Sequence, residues 1–251
     1  MNLLITGGSS DLAQAIAKRR SDMGDKIIIT ASSTESLDKT LQHYAEQKMP
    51  VKGFVYDFAQ PEACEADLEK LLAEPIDGVL LNAFNRVSRL RKLHALPYAE
   101  IRSYIDLNVN GNIWLIHRLL PAMVANKFGR LVLVSSLSST NGTSRYPAYC
   151  AAKAALEGLF FNLAVDYSAK NILANIVRVG LIKTSRTKHF WENESYQEKV
   201  GKIIPQGCMG EPAQIAEALD PLLSKTSYMT GSIITVSGGL PLMSSEGLLS
   251  S

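Results

Sequence analysis

Tyr149 and Lys153 stand four residues apart in Tyr149-Cys150-Ala151-Ala152-Lys153. On a helix this spacing puts both side chains on one face, so a phenol and an ammonium reach the same cleft. A free phenol titrates near ~10, too high to ionise at neutral pH. A cation beside it lowers that value by about 1–3 units, which makes the phenol a usable general acid and its anion a usable base. The same pair also describes an ordinary solvated helix face, so two further residues decide its meaning. Ser136 ends the run Leu133-Val134-Ser135-Ser136 and offers a hydroxyl to a carbonyl oxygen. Asn108, in Leu107-Asn108-Val109-Asn110-Gly111, falls at an expected break in a long helix, where a side chain or freed carbonyl holds a water. Cys150 is read as packing away from this cleft rather than reacting.

A second group suits phosphate. Thr6-Gly7-Gly8-Ser9-Ser10-Asp11-Leu12-Ala13 runs straight from an apolar strand into a helix. A glycine turn there lets backbone N–H groups approach an anion, and the helix N-terminus adds partial positive charge. Asp11 is read as facing solvent, where it complements the helix dipole rather than repelling phosphate.

These residues need a scaffold, and the chain supplies one. Short β-branched runs at Leu3 to Thr6, Lys26 to Thr30, Gly53 to Asp57, Gly78 to Asn82, Arg130 to Ser135, Ala174 to Val179 and Ile233 to Val236 alternate with helical periods. The helices are expected at Asp11 to Met23, Thr34 to Lys48, Pro61 to Ala73, Tyr98 to Asn126, Ala148 to Ala169 and Pro212 to Ser224. The alternation predicts an α/β fold, a single-domain doubly wound sheet of about seven parallel strands with helices on both faces, over residues 1–240 with a tail at 241–251. Ser185 to Met209 is polar, lacks a clear period and follows a strand's C-terminal end, where open α/β sheets bind ligands.

Composition narrows the partners. The 251 residues carry 26 Lys+Arg against 24 Asp+Glu, a net charge of +2, with 46% hydrophobic residues. The scattered basic residues do not make a nucleic-acid surface. Cys64, Cys150 and Cys208 lie far apart with no histidine at ligand spacing, so neither a disulfide framework nor a metal site is expected. No signal peptide and no uncharged apolar stretch of membrane-spanning length are evident, so a cytoplasmic protein without a membrane partner is expected.

In their order along the chain these stretches resemble the short-chain dehydrogenase/reductase family, with a Rossmann-type fold, over nearly the whole sequence. The glycine turn resembles the family's Thr-Gly-x-x-x-Gly-x-Gly, with Asp11 and Ala13 at its second and third glycines. Asn82-Ala83 matches part of Asn-Asn-Ala-Gly, with Leu81 for the first Asn and Phe84 for the Gly; Phe84 either narrows the cleft or fills core space. Val179-Gly180-Leu181-Ile182-Lys183-Thr184 resembles Pro-Gly-x-Ile-x-Thr, with Val179 for Pro, and Tyr228-Met229-Thr230-Gly231 with Val236-Ser237-Gly238-Gly239 resembles the closing strand.

The resemblance implies an Asn108, Ser136, Tyr149 and Lys153 tetrad that moves a hydride between nicotinamide and a carbonyl carbon. Tyr149 would be the acid, Ser136 the oxygen's hydrogen-bond partner, and Lys153 the cation that lowers the Tyr149 pKa and binds the nicotinamide ribose. Asn108 would relay protons. Cofactor contacts would come from Thr6, Gly7, Ser9, Ser10, Asp11, Leu12, Ser32, Ser33, Asp57, Phe58, Asn82, Ala83, Tyr149, Lys153, Gly180, Ile182 and Thr184. The second strand ends Thr30-Ala31-Ser32-Ser33-Thr34 with no carboxylate, which favours NADP(H) while leaving NAD(H) open, although Ser33 or Thr34 also suits a helix cap.

The branch most resembled is the 3-oxoacyl-[acyl-carrier-protein] reductases. Lys127 and Lys170 would then meet an acidic carrier at the cleft mouth, unless they only compensate helix dipoles. A sugar or secondary-alcohol dehydrogenase is the alternative if Arg86, Arg89, Arg91 and Lys92 line the mouth. An inactive dinucleotide-binding regulator is the alternative of another class. A homodimer or homotetramer is expected through the two long helices, with Leu156, Leu159, Phe160, Leu163 and Val165 as surplus apolar surface.

Overall fold

Seven strands, β1 (Asn2–Ile5), β2 (Lys26–Ala31), β3 (Val51–Val55), β4 (Gly78–Leu81), β5 (Gly129–Ser136), β6 (Ile172–Val179) and β7 (Ile233–Val236), form one sheet in the order β3-β2-β1-β4-β5-β6-β7. Every neighbouring pair is parallel. The computed structural model describes residues 1–85 and 89–242; Arg86 and residues 243–251 of the expected tail lie outside the described residues. The expected strands are all present, shifted by at most a few residues.

Continuous apolar runs explain why the sheet is covered twice. Leu4, Ile28, Val79, Leu131 and Leu133 point to one face and meet Leu115, Leu119, Leu156 and Phe160. Their neighbours Leu3, Ile5, Ile27, Ile29, Leu80 and Val132 point to the other and meet Leu12, Ile16, Leu37, Ile215 and Leu219. Each such fully buried side chain contributes ~1.5–3 kcal/mol of transfer free energy.

The helices are α1 (Asp11–Asp22), α2 (Thr34–Glu46), α3 (Glu65–Leu72), α4 (Tyr98–Ile105), α5 (Gly111–Asn126), α6 (Ser138–Asn141), α7 (Pro147–Tyr167), α8 (Lys188–Trp191), α9 (Glu194–Ile203) and α10 (Pro212–Ala218). The expected helix from 98 to 126 is two helices joined by a π-helical turn, Asp106–Asn110, with Asn108 inside it. The polar stretch from 185 to 209 folds into a 3-10 turn, Ser185–Thr187, followed by α8 and α9. A small apolar cluster of Val200, Ile204 and Met209 with Phe190 and Trp191 anchors it, too sparse to show as a sequence period.

Two expectations need correction. Leu156, Phe160 and Leu163 are core residues rather than surplus surface. The outer face of α7 is instead a stripe of Ala151, Ala154, Ala155, Gly158, Phe161 and Val165. This helix is apolar and long enough to cross a membrane by length and composition, but its inner face is buried in the core. Lys127 and Lys170 precede β5 and β6, whereas Ser136 ends β5. In a parallel sheet they therefore lie at the opposite edge from the C-terminal strand ends, roughly 25 Å away along an eight-residue strand, and form no rim around this chain's cleft.

Candidate active site

The strand order reverses between β1 and β4, which opens a crevice beyond their C-terminal ends. Gly7 turns there with φ +67, and a Cβ on it would press on Ala83 at 3.1 Å, so the glycine lets the β1 and β4 turns touch. Thr6 and Asn82 lock the two turns together. The Asn82 and Ala83 amides donate to Thr6 Oγ1 at 3.0 and 2.9 Å, and Asn82 Nδ2 donates to the Thr6 carbonyl at 3.1 Å and to Ser10 Oγ at 2.9 Å. Ser10 also caps α1 by accepting from the Ala13 amide. Thr6, Ser10 and Asn82 thus build the glycine turn with side chains already occupied, and Leu12 packs into the core behind it.

A cavity of about 460 Å³ lies between this turn and α2, lined by Ser9, Gln14, Ser33, Ser36, Lys39 and His43 among others. Ser33 caps α2 through the Ser36 amide, and Ser32 is exposed at the strand end. Lys39, which pairs with Glu35 at 2.6 Å, is a cation that reading the strand end alone misses. Its signal is helical spacing, with Glu35, Lys39 and His43 recurring every four residues along α2.

The side chains expected to be catalytic come from β5 and α7. Ser136 ends β5; its Oγ accepts from the Ser138 amide at 3.2 Å and lies near enough to the Tyr149 phenol to act on its titration. Three aromatic rings close around that phenol: Phe84 at 5.5 Å and Tyr146 at 5.9 Å, both edge-on, with Tyr104 against Phe84 at 6.1 Å. Burial raises the Tyr149 pKa above its ordinary value, opposed by the nearby Ser136 hydroxyl. The expected lowering by Lys153 is absent, because Lys153 is itself buried. Its Nζ donates to the Val134 carbonyl at 2.8 Å and lies 3.7 Å from the Phe84 ring centre, which separates it from solvent. Loss of hydration pushes Lys153 down to about 7, against the pull of Glu157.

Asn108 is buried at the π-helical turn, as the sequence implied, but its side chain is engaged. Oδ1 accepts from the Asn85 amide at 2.7 Å and Nδ2 donates to the Tyr104 carbonyl at 3.0 Å. Tyr104 Oη also donates to the Asn85 carbonyl, so Asn108 and Tyr104 together pin the chain leaving β4.

Asp11 departs from its expected orientation. Its carboxylate does not face solvent alone; Oδ2 accepts from the Ser185 amide at 3.0 Å and from Ser185 Oγ at 2.8 Å. The next residue, Arg186, donates to the Phe84 carbonyl at 3.1 Å. Two of the three residues that replace glycines of the family pattern, Asp11 and Phe84, therefore hold consecutive positions of one turn. Gly180, Ile182 and Thr184 lead into that turn; the Gly180 amide donates to the Val236 carbonyl, and the Thr184 carbonyl accepts from Trp191 Nε1 at 3.0 Å. Asp57 and Phe58 lie beyond β3, where Asp57 Oδ1 accepts from the Ala59 amide and Phe58 packs edge-on against Tyr56 at 4.8 Å. Arg89 reaches Glu100 at 3.6 Å, while Arg91 and Lys92 are exposed in the same segment.

A family model described as enoyl-(acyl carrier protein) reductase matches residues 7–241. The chain belongs to the short-chain dehydrogenase/reductase family. Within this family it is 31% identical over 241 residues to a 3-oxoacyl-[acyl-carrier-protein] reductase of Rickettsia bellii, covering 94% of this chain and 95% of that one. It is 30% identical over 237 residues to a 2-dehydro-3-deoxy-D-gluconate 5-dehydrogenase of Bacillus subtilis, covering 94% and 92%. A solved 3-oxoacyl (acyl-carrier-protein) reductase from Agrobacterium tumefaciens with NADP bound superimposes with TM-score 0.85 at 26% identity, covering 95% of this chain and 93% of that one. The protein is accordingly a short-chain dehydrogenase/reductase with a Rossmann-like sheet, and an oxidoreductase.

Proposed function

We propose that this short-chain dehydrogenase/reductase is an NADP(H)-dependent ketoreductase acting on a 3-oxoacyl thioester. The observation that carries the reading is the enclosure of Tyr149, Ser136 and Lys153 at the C-terminal ends of the strands, beside the crevice of the glycine turn. A nicotinamide cofactor supplies the hydride when bound. The residues fit such a group: the Gly7 turn brings backbone to the α1 N-terminus, and the cavity lined by Ser9, Ser33 and Lys39 offers hydroxyls and a cation to a 2′-phosphate, with Glu35, which also lines it, paired with Lys39.

Tyr149, kept protonated by burial, donates its proton to the developing alkoxide. Ser136 orients that oxygen, and Lys153 contributes positive charge and holds the ribose hydroxyls. Asn108 fixes the Asn85 segment that forms the wall. The small-residue stripe on α7 supports association into a homodimer or homotetramer.

The sugar or secondary-alcohol reading keeps support from the gluconate-type relative and from Arg89, Arg91 and Lys92 after β4. NADPH and NADH oxidation against the N-acetylcysteamine thioester of 3-oxobutanoate, simple ketones, keto sugars and an enoyl thioester tests both. Preference for the 3-oxoacyl thioester with NADPH is expected. Preference for a keto sugar would install the second reading, turnover of the enoyl thioester alone would overturn carbonyl reduction, and cofactor binding with no turnover would mark a regulator.

A further inference from the structure

Glu157 is buried one helical turn beyond Lys153 on α7, in a place with no part in the reaction proposed above. Its carboxylate is fully engaged. Oε1 accepts from Ser135 Oγ at 2.6 Å and from Arg178 Nε at 3.0 Å, and Oε2 accepts from Arg178 Nη2 at 2.6 Å. Ser135 follows Val134, whose carbonyl takes the Lys153 ammonium at 2.8 Å. Two successive turns of α7 are thus fastened to two successive residues of β5, and Arg178 of β6 closes the cluster.

We propose that Glu157 is a positioning residue for Lys153, the buried anion that keeps the ammonium charged and held against β5. The proposal rests on the reading of Lys153 as the cation of the site. An ammonium taken out of water loses several kcal/mol of hydration, and without a nearby opposite charge it sheds its proton instead. Among the described residues, the charged or titratable groups that face Lys153 or its immediate partners are Tyr149 and Glu157 on α7, Tyr104 on α4 against Phe84, Arg178 on β6 against Glu157, and Arg186 in the turn after β6. Among them Glu157 is the carboxylate. It pulls Lys153 upward, whereas burial and Arg186 push it down. Arg178 and Ser135 overcome the cost of burial and hold the Glu157 carboxyl below its ordinary range, so it stays ionised wherever Lys153 titrates.

The sign follows. In the reducing direction Tyr149 stays protonated well above neutrality, so the alkaline loss of cofactor affinity and turnover belongs to deprotonation of Lys153, from about pH 7 upward. Removing the anion moves that loss to lower pH.

The experiment measures NADPH affinity by fluorescence titration from pH 5.5 to 9, with kcat/KM on the N-acetylcysteamine thioester of 3-oxobutanoate over the same range, for the parent, Glu157→Gln, Glu157→Met/Arg178→Met and Lys153→Ala. The Gln variant is expected to move the alkaline limb about one pH unit lower, an approximately tenfold loss at pH 8 and little loss at pH 5.5. The double variant replaces the buried ion pair with apolar groups, restores the melting temperature if the single variant is unstable, and keeps the lowered limb. An unchanged limb in the Gln variant, or a double variant whose limb returns to the parent's, overturns the proposal and leaves Glu157 a purely structural ion pair. A Lys153→Ala protein with parental NADPH affinity and turnover overturns the reading of Lys153 itself, and this inference with it.

Discussion

The floor and the rim of the cleft are held by different kinds of contact. On the floor, Lys153 bonds the Val134 carbonyl, Ser135 bonds Glu157, and Glu157 pairs with Arg178, the first two buried, the last part-buried, and all between regular elements. On the rim, Asp11 meets Ser185 and Arg186 meets the Phe84 carbonyl, all in exposed turns. Buried charged contacts are strongly destabilising to break, while exposed ones are worth only ~0–1 kcal/mol each. The side chains proposed as proton donor and cation are therefore held in place without a ligand, whereas the turns above them are fastened by bonds that water readily replaces.

Substitutions on the two sides sharpen this contrast. Tyr149→Phe, on the floor, keeps the ring and removes the proton. It is expected to lower kcat by ~10²–10⁴, far more than it lowers NADPH affinity, and a near-parental kcat would show that another group is the acid. Ser32→Asp places a carboxylate at the end of β2 beside the cavity and is expected to weaken NADPH about tenfold while sparing NADH; equal effects on the two would remove the argument for a 2′-phosphate there.

Phe84→Gly joins floor to rim. With the ring gone, Lys153 regains hydration, its pKa rises, and NADPH binding tightens by a few-fold to about tenfold as competition for the ammonium is lifted, at some cost in melting temperature. Weaker binding at every pH would make Phe84 a wall the cofactor needs. The smallest effect is expected from Asp11→Asn. Its NADPH affinity rises about two- to fivefold in dilute buffer, and the gain fades as salt screens the lost charge. A gain that persists at high salt would locate the effect in the freed Ser185 turn instead of in repulsion.

What the sequence reveals divides along the same line. Tyr149, Lys153 and Ser136 were legible because a helix repeat and a strand end place them by local geometry alone. The break at Asn108 was legible for the same reason. The orientation of Asp11 was not, since it depends on Ser185, 174 residues further along the chain. The upward shift of Tyr149 was also hidden, because Phe84, backed by Tyr104, reaches it from separate segments, and no spacing reports that enclosure. Lys127 and Lys170 misled for a simpler reason: position just before a strand looks adjacent to the site in sequence but is the far edge in a parallel sheet.

The place of β1 between β2 and β4 orders events in time. β1, β2 and β3 pair as sequence neighbours, but the other flank of β1 waits for β4, whose register begins at Leu3 opposite Gly78. From β4 onward each new strand adds to the growing edge in chain order. Parallel pairing of this kind is slow because long loops must close before contacts compensate. A chain that has laid down β1 to β5 has its glycine turn and Ser136, yet until β6 joins, Glu157 lacks Arg178 and α7 lacks one of the strands it packs on. During synthesis the residues of the glycine turn and Ser136 are therefore laid down before the strand that completes the Glu157–Arg178 contact.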